Sequence, residues 1–470
     1  MIIVHWHIVR PRLTEGMNGG PMAGGVALSV IIPAWQEGPN LVVLLPELRE
    51  VLDGLGAPWE VLVVTRGADP ETDAAAAVIG ARVVEQREPG YGGALRAGFA
   101  ASTGAFVLTM DADLSHRPSF IQDLWARRND AGVTIASRYV KGGHAEMPLS
   151  RQVMSRVLNI FFGRGLSMPV NDLSSGFRLY RAEVVRGVEF TARDFDICQQ
   201  ILLHAYNEGW KIQEVPFAYA PRRHGSSHAR VIQFGMAYLR TFWSLWKRRN
   251  SIAAADYDDR AYDSLIPLQR VWQRSRFRHV TDLIGGEGPV LDVGCGSSRI
   301  IGALPPGSVG VDILQRKLRY ARRFRAPLVR ASAFTLPFRD GAFPCVLCSE
   351  VIEHVPKESP VLSELDRVLA PGGRLVVGTP DYARPEWVTL EKIYGKVAPG
   401  GYADEHIAHY TRDELVSLFG RRGYALEATR YILRGELILA FRKLPTGAAL
   451  STNGRVREKA ASVAASSIPN

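Results

Sequence analysis

The sequence contains little cysteine. Its 470 residues include four cysteines, too few for a disulfide-stabilised scaffold in a chain of this length. Two of them, Cys345 and Cys348, have the C-x-x-C spacing of redox and zinc sites. They lie in an apolar run that is typical of a buried strand, where residues three positions apart point to opposite faces. We therefore interpret them as buried core thiols.

Long hydrophobic runs are also missing. No stretch reaches the ~18 apolar residues that a membrane-spanning helix needs. The first ten residues place apolar side chains before Arg10, the reverse of the order in a secretory signal peptide. The sequence therefore predicts a cytoplasmic protein with a flexible leader over residues 1–25. Residues 446–470 are rich in Ala and Ser without an apolar period, and we expect a disordered tail there.

Acidic residues are absent from one basic segment. Residues 215–255 carry seven Lys or Arg and no Asp or Glu, in a chain of net charge +10. Aromatic residues recur at every fourth position, which places them on one stripe of a helix: Phe234, Tyr238, Phe242 and Trp246. A basic helix of this kind is typical of a membrane surface, where these residues could meet anionic lipid: Arg240, Lys247, Arg248 and Arg249.

We therefore predict a basic amphipathic linker helix over residues 231–259. The alternative interpretation is a core helix that packs two domains together. Nucleic acid binding is disfavoured, because no RNA- or DNA-binding motif accompanies the charge.

Strand-like and helix-like segments alternate in two series. Apolar, β-branched runs alternate with amphipathic stretches from Val26 onward, and a second series begins near Gly285. Such alternation indicates α/β domains with mostly parallel sheets covered by helices. We expect one domain over residues 26–230 and another over residues 260–445.

Two aspartates follow a strand of the first series. The run Val107–Met110 leads directly into Asp111 and Asp113. Ligands of open α/β sheets bind at the carboxyl ends of strands, and residues two apart on an extended chain point the same way. The pair could hold Mg²⁺ or Mn²⁺ while a diphosphate supplies further oxygen ligands. A solvated acidic turn is the alternative for an isolated pair.

Several other motifs surround this pair in a fixed order. They are Ser29–Glu37, the glycine-rich Gly90–Gly98, Ala136–Tyr139, Leu149–Arg156, Asn171–Arg178 and Arg222–His228. Together they resemble the family 2 glycosyltransferases, specifically the polyprenol-phosphate (dolichol-phosphate) mannosyltransferase branch, over about residues 27–230. The resemblance implies a GT-A fold, a divalent metal, a GDP- or UDP-sugar donor and inversion at the anomeric carbon.

The resemblance also implies roles for individual residues. Asp111 and Asp113 would hold the metal, and Arg138, Arg151 and Ser155 would grip phosphate. The remaining donor- or acceptor-binding positions are Pro33, Glu37, Asp172, Ser175, Arg178, Arg223 and His228.

Two positions depart from the family pattern. Thr65 and Arg66 stand where the family carries an Asp-Asp-Gly-Ser stretch that recognises the nucleoside. His228 stands where a lysine ends the last motif, so a titratable group replaces a fixed cation.

The second series carries a different glycine-rich turn. An apolar strand ends in Asp292, followed by Gly294 and Gly296, and Arg299 replaces the third glycine that dinucleotide binding requires. Asp312 ends the next strand, where an acid suits two ribose hydroxyls. Further motifs follow at Leu336–Phe338, Cys348–Val355 and Leu369–Val377.

This set resembles the class I S-adenosylmethionine (SAM) dependent methyltransferases, with a Rossmann-like fold, over about residues 260–442. The resemblance implies that Asp292, Gly294 and Gly296 hold the methionine end of SAM. It places Asp312 on the ribose, Ser332 at the adenine and Glu350 near the methyl group. His354 is a candidate base, as are His406 and His409, although a structural hydrogen bond is the alternative for His354.

The sequence thus predicts a bifunctional enzyme of glycolipid or glycoconjugate biosynthesis. The first domain would transfer a sugar from a nucleotide sugar to a polyprenyl phosphate, with the protein docked on the inner face of the membrane. The second would methylate an unidentified acceptor. In the alternative hypothesis, a non-catalytic first domain serves as a binding or membrane-docking module for an active methyltransferase.

Overall fold

The computed structural model describes residues 25–219, 241–251, 253–397 and 406–445. They form two compact units. The first comprises residues 25–163, 169–201 and 212–219, and the second contains the other described residues. The second unit thus takes residues 164–168 and 202–211, which lie inside the predicted first domain. The predicted leader and tail, Arg223, His228, Phe234, Tyr238 and Arg240 fall outside the described residues.

A seven-stranded sheet forms the first unit, in the order β3-β2-β1-β4-β7-β5-β8. Its strands are β1 (Leu28–Pro33), β2 (Trp59–Thr65), β3 (Arg82–Glu85), β4 (Phe106–Thr109), β5 (Val133–Ser137), β7 (Arg178–Arg181) and β8 (Ile212–Pro216). β1 to β4 pair in parallel, and β7 runs antiparallel to both β4 and β5. Two short strands, β6 (His144–Ala145) and β9 (Ala218–Tyr219), form a separate pair.

Helices accompany this sheet, and the last of them continues from the first unit into residues of the second. They are α1 (Gly38–Asp53), α2 (Pro70–Ile79), α3 (Tyr91–Ala101), α4 (Ile121–Ala126), α5 (Leu149–Gly165), α6 (Ala182–Val185) and α7 (Ile197–Asn207). The central strand β1 is buried on both faces, with Val30, Ile31 and Ile32 fully inaccessible. This pattern is typical of a parallel sheet covered on both sides.

The second unit contains another seven-stranded sheet, ordered β12-β11-β10-β13-β14-β16-β15. Its strands are β10 (Val290–Val293), β11 (Val309–Asp312), β12 (Leu328–Arg330), β13 (Phe343–Ser349), β14 (Leu369–Pro380), β15 (Tyr424–Ile432) and β16 (Glu436–Lys443). The first five in this order are parallel, and β16 is antiparallel to β14 and β15. The two sheets confirm the predicted two-domain α/β fold.

Helices of the second unit begin with α8, whose described part is residues 241–249. The others are α9 (Tyr257–Tyr262), α10 (Pro267–Ile284), α11 (Ile300–Ala303), α12 (Gln315–Ala321), α13 (Val361–Val368), α14 (Pro385–Val397) and α15 (Arg412–Arg421). All four cysteines are buried, and the burial of Cys345 and Cys348 in β13 confirms the prediction for that pair. None of the described helices combines the length and the apolar character that a membrane crossing requires.

The structure corrects the predicted linker helix. α8 ends at residue 249, and Tyr257–Tyr262 is a separate helix. Arg249 is 1% exposed and forms an ion pair with Asp256, which is also buried. Its Nε additionally donates to the Leu166 carbonyl at 2.8 Å. Arg249 therefore packs inside the second unit, because a buried guanidinium needs these acceptors, and the expectation that it meets lipid is wrong.

Candidate active sites

The first site lies where three neighbouring parallel strands end. β1 pairs with β2 on one side and β4 on the other, with Pro33 opposite Val64 and Ile31 opposite Thr109. The chain leaves β1 toward β2 and later returns to β4 on the other side. Such a reversal of strand order opens a crevice at the carboxyl edge, where α/β folds bind ligands. Pro33, at the end of β1, and Asp111, shortly after β4, both lie at this edge.

Asp111 is held by two side chains at this edge. Its backbone N–H donates to His116 Nδ1 at 2.9 Å, and Tyr91 Oη donates to its Oδ1 at 3.3 Å. His116 Nε2 lies 3.8 Å from Oδ2, so the ring proton is on Nε2 and faces the carboxylate. The Asp111 side chain remains 24% exposed. Its carboxylate is therefore positioned and still accessible to a cation.

Sequence reasoning assigned no role to Tyr91 or His116. The His116 ring stacks on Phe177 at 4.8 Å, and the Tyr91 ring stacks on Phe195 at 4.5 Å. Their positions near the Asp-x-Asp motif and in the Gly90–Gly98 motif were the available signal.

Asp113 differs from the expectation of two equivalent carboxylates. The chain bends at residues 112–114 after β4, so the extended geometry behind the prediction does not hold. Asp113 is 5% exposed, and its Oδ1 accepts from both the N–H and the hydroxyl of Ser115. Asp111 therefore suits a first metal contact better, and Asp113 stabilises the turn while its Oδ2 stays a candidate ligand.

Arg138 has a partner inside the protein. Its Nε and Nη2 donate to the two carboxylate oxygens of Asp172 at 2.8 and 2.7 Å. Burial alone would raise the pKa of Asp172, but the hydrogen bonds and charge of Arg138 hold it below its usual value. This bidentate pair ties the end of β5 to the loop before β7. Arg138 and Asp172 thus form a structural pair, and their predicted contacts with phosphate and ligand stay predictions.

Arg178 and Ser175 are also structural. Arg178 is fully buried, with Nη1 and Nη2 donating to the carbonyls of Cys198 and Leu173, both at 2.8 Å. The Ser175 hydroxyl donates to the Ala136 carbonyl at 2.8 Å. These bonds give both side chains a structural role, although Arg178 Nε has no hydrogen-bond partner. The expectation that the two residues bind donor or acceptor stays a prediction.

The other predicted residues of this half have mixed positions. Glu37 precedes α1 at the N-cap position, makes no capping bond with its side chain, and accepts from Asn40 Nδ2 at 2.5 Å. The hydroxyls of Ser155 and Tyr139 lie 2.8 Å apart. The side chain of Arg151 is outside the described residues. Glu37 and Ser155 remain predicted ligand contacts.

The second site surrounds a glycine-rich turn. Gly294 and Gly296 follow β10 with φ values of 75° and 54°, conformations that favour glycine. A Cβ on Gly294 would lie 2.2 Å from Val351 Cγ2, so the turn and the loop after β13 are in close contact. The chain reverses strand order between β10 and β13, which places this turn at a second crevice.

Asp312 connects this turn to the end of β11. Its Oδ2 accepts from the Gly296 N–H at 2.9 Å, and its Oδ1 accepts from the Leu314 N–H at 2.7 Å. A carboxylate has about four acceptor positions, so two remain for vicinal hydroxyls. The geometry therefore fits the ribose contact expected of SAM. The backbone N–H of Ala331 donates to the Asp312 carbonyl at 3.2 Å, which brings the neighbouring Ser332 to the same edge.

Asp292 is a buried acid beneath the turn, and its pKa is raised. It is 4% exposed. Burial, followed by the charge of Asp312, raises the pKa of Asp292 to about 7. Burial likewise raises the pKa of Asp312. A buried acid beside a half-buried one favours a cationic ligand, and SAM carries both an ammonium and a sulfonium.

Helix α9 contributes an acid that sequence reasoning missed. Asp258 Oδ2 accepts from the N–H and hydroxyl of Ser297 at 3.2 and 2.9 Å and from Lys317 Nζ at 2.7 Å. It thereby fixes the glycine-rich turn from outside the methyltransferase motifs. The role of Asp258 was not predicted, because residues 231–259 were expected to form a linker helix.

Glu350 follows β13 in a left-handed backbone conformation, at a φ of 58°. Such a conformation is strained for glutamate. Its carboxylate pairs with Arg276 at 3.0 Å, and Arg276 also pairs with the fully buried Glu436 at 2.6 Å. Burial raises the pKa of Glu350, and Arg276 opposes this increase. Glu350 thus lies in the predicted loop, beside the helix α10 that supplies Arg276.

His354 belongs to a cluster rather than standing alone. Potential ligand atoms of Glu353, His354 and His406 lie within 4.8 Å of one another. The His354 and His406 ring centroids are 5.1 Å apart. His409 stacks instead on Tyr382 at 3.9 Å.

Comparisons with known families agree with this division. Residues 29–188 match the model of glycosyl transferase family 2, and residues 291–377 match a methyltransferase domain model. A dolichol-phosphate mannosyltransferase of Pyrococcus furiosus is 34% identical over 236 residues, covering 48% of this chain and 65% of the relative. A dolichyl-phosphate hexose transferase of Haloferax volcanii is 29% identical over 199 residues, covering 42% and 83%. This chain thus spans less than two thirds of the Pyrococcus protein.

Solved structures also resemble the chain. A glucosyl-3-phosphoglycerate synthase from Mycobacterium tuberculosis has 21% identity and a TM-score of 0.38, covering 52% of this chain and 85% of that chain. A SAM-dependent methyltransferase from Thermotoga maritima has 21% identity and a TM-score of 0.34, covering 43% and 99%. These TM-scores are too low to bear on ligands. By these matches, the chain contains a family 2 glycosyltransferase domain, similar in sequence to the two dolichol-linked transferases above, followed by a methyltransferase domain.

Proposed function

We propose that this protein is a bifunctional enzyme, which transfers a sugar from a nucleotide sugar to a polyprenyl phosphate and a methyl group from SAM to a second acceptor. The observation that carries the glycosyl-transfer half is the position of Asp111. It is an accessible carboxylate at the strand-order reversal of a domain that matches family 2. The donor is a GDP- or UDP-sugar.

The residues present support metal-assisted transfer. Asp111, with Oδ2 of Asp113 behind it, is the set that would hold Mg²⁺ or Mn²⁺. When bound there, such an ion supplies positive charge to the departing diphosphate. His116 and Tyr91 keep the Asp111 carboxylate oriented through the contacts described above. A phosphate acceptor is already a nucleophilic anion, so the enzyme chiefly needs to orient it.

The names of the relatives support a lipid phosphate acceptor. The Pyrococcus and Haloferax proteins are described as dolichol-phosphate and dolichyl-phosphate transferases. A polyprenyl phosphate carries its head group at a bilayer surface, so the enzyme must reach that surface.

Helix α5 offers a suitable surface element. One face exposes apolar side chains at helical spacing: Leu149 (73%), Val153 (54%), Val157 (58%), Ile160 (49%) and Phe161 (44%). Exposed Arg156 and Arg164 lie on the same helix. Apolar residues flanked by arginines suit the boundary of an anionic bilayer. We therefore propose that α5, rather than α8, is the helix that docks on the membrane. The proposed location is the inner face of the membrane.

The methyltransferase half is proposed to use SAM at the turn formed by Gly294 and Gly296. Asp312 would accept from the ribose hydroxyls, and Asp292 would face the cationic end of SAM. Methyl transfer is a direct displacement, so orientation of the acceptor by this pocket contributes much of the rate.

One feature favours a second candidate function, in which the first domain only binds. Thr65 and Arg66 replace the nucleoside-recognising acids, and the following Asp69 is used as the N-cap of α2, accepting from the Thr72 N–H at 3.3 Å. The test is an assay of the purified chain with Mn²⁺ and a panel of nucleotide sugars. Release or transfer of sugar from any of them supports the enzyme. Complete inactivity toward the panel, with SAM binding intact, supports the binding module.

A further inference from the structure

The loop after β13 contains an unusual buried acid. Glu353 is 0% exposed, and neither of its carboxylate oxygens has a hydrogen-bond partner. The Thr379 hydroxyl is close enough to lower the pKa of Glu353, but the two groups are not in hydrogen-bonding geometry. An uncompensated buried carboxylate costs several kcal/mol. The charges of His354 and Arg276 offset part of this cost, and a cation bound at the carboxylate would offset more of it.

Two imidazoles converge on this carboxylate. Ligand atoms of Glu353, His354 and His406 lie within 4.8 Å of one another, and small side-chain rotations would bring them to metal-bonding distance. The backbone N–H groups of Ile407 and Ala408 donate to the Glu353 carbonyl at 2.8 and 2.9 Å. These bonds fix the segment that carries His406 against the turn that carries Glu353 and His354.

The orientation of His406 is set by a second carboxylate. Its Nδ1 lies 2.9 Å from Glu391 Oε1 and 2.8 Å from Tyr382 Oη. A carboxylate on this side keeps the ring proton on Nδ1, which makes Nε2 the ligand atom. Metal-binding histidines characteristically have such a carboxylate partner.

The surrounding charge also favours a cation. Glu350 and Glu436 lie in the same region and share a single guanidinium, that of Arg276. Their charge is therefore only partly offset by Arg276. An open cavity of about 360 Å³ borders the cluster, lined by residues that include Lys357, Ile407 and His409.

We propose that Glu353, His354 and His406 form a binding site for a divalent transition-metal ion in the methyltransferase domain. One carboxylate and two imidazoles are a donor set suited to Zn²⁺, Fe²⁺ or Mn²⁺, with coordination positions left open. The ion lies beside the proposed SAM pocket, because Val351 in this loop contacts Gly294.

The use of this ion rests on the proposed methyltransferase function. The open positions would take the hydroxyl of the methyl acceptor and make it easier to deprotonate. The hydroxyl oxygen then bonds to the methyl carbon, the carbon–sulfur bond of SAM breaks with its electrons on sulfur, and the hydroxyl proton passes to water. The acceptor is thus an alcohol, sugar hydroxyl or phenol.

Metal content tests the site independently of catalysis. The full chain carrying Asp111→Asn/Asp113→Asn, which removes the metal ligands proposed in the first domain, is stripped with chelator and dialysed against Mn²⁺ or Zn²⁺. We expect one tightly held equivalent by elemental analysis. In the same background, His406→Asn and Glu353→Gln each reduce affinity by at least about tenfold, since even outer-shell partners cost that much.

Controls separate this outcome from misfolding and from failure of the proposed function. His279→Asn removes a histidine outside the cluster and leaves metal binding unchanged. SAM titration of each variant verifies the fold, and Glu391→Gln replaces Glu353→Gln if the latter does not fold. Absence of a bound equivalent, or equal affinity in the His406→Asn chain, overturns the site. Metal binding without any SAM binding would retain the site and reject the methyltransferase function.

Discussion

At the scale of single residues, Asp312 provides the most direct test of the SAM site. Asp312→Ala removes charge-assisted hydrogen bonds to the ribose, each worth roughly 1.5–3 kcal/mol. We expect the Kd for SAM to rise at least about tenfold, measured by calorimetric titration. Asp413→Ala is the matched control, because Asp413 is 91% exposed in the same domain. Equal SAM affinity in the two variants would remove Asp312 from the site.

Asp292 predicts a pH dependence. Burial, with the charge of Asp312, raises the pKa of Asp292 to about 7. Between its ordinary pKa near 4 and pH 7, the folded state binds more protons here than the unfolded state does. The unfolding free energy therefore falls as the pH rises through that window, by an amount on the order of a few kcal/mol.

Asp292→Asn removes the carboxyl group that titrates, and with it the loss of unfolding free energy at high pH. In the ligand-free protein we expect it to raise the Tm of the methyltransferase transition by several degrees at pH 8. The gain should shrink as the pH approaches 4, where wild-type Asp292 is protonated in both states. Thermal melts across this range measure it. A difference in Tm that does not vary with pH would show that Asp292 is not the titrating group.

Sequence predicted some of these residues well and others poorly. Acids and glycines at strand ends, such as Asp111, Gly294 and Asp312, are predictable because parallel strands bring their carboxyl ends to one edge. The ion pair of Arg138 was not predictable, because its charge is visible in the sequence but its partner Asp172, 34 residues away, is not.

At the scale of elements, α5 provides a test of membrane docking. Val153→Glu/Val157→Glu places two acids on the exposed apolar face. We expect it to lose most cosedimentation with anionic liposomes, whereas Val42→Glu/Val43→Glu changes two exposed valines of α1 and has a smaller effect. Wild-type binding should fall as salt rises, since the Debye length shrinks from ~10 Å at 0.1 M to ~3 Å at 1 M.

A different result would reassign the surface. If the α5 variant binds as well as wild type, while Phe242→Glu/Trp246→Glu folds and fails to bind, the docking element is α8. The structure instead predicts that the α8 variant loses stability, because Phe242 and Trp246 are half-buried and the Phe242 ring packs against Gly165.

The elements themselves follow the sequence where periodicity is strong. The β1, β2 and β10 strands were predictable from apolar, β-branched runs. The break between α8 and α9 was not, because no proline or glycine interrupts residues 241–262. That break is set by tertiary contacts, the Arg249–Asp256 pair and the Asp258 bonds to Ser297.

At the scale of the whole molecule, we expect two independent active sites in one chain. The glycosyltransferase and methyltransferase matches cover separate segments, residues 29–188 and 291–377. Each segment contains its own strand-order reversal. A change in one site should therefore leave ligand binding at the other intact.

The most direct test uses three forms of the purified chain: wild type, Asp111→Asn/Asp113→Asn and Asp312→Ala. Each is assayed for Mn²⁺-dependent sugar transfer from GDP- and UDP-sugars to a short polyprenyl phosphate, and for SAM binding by calorimetry. We predict that wild type does both, that the double variant loses only sugar transfer, and that Asp312→Ala loses only SAM affinity. Wild type that binds SAM but transfers no sugar, or a folded double variant that no longer binds SAM, would contradict the account.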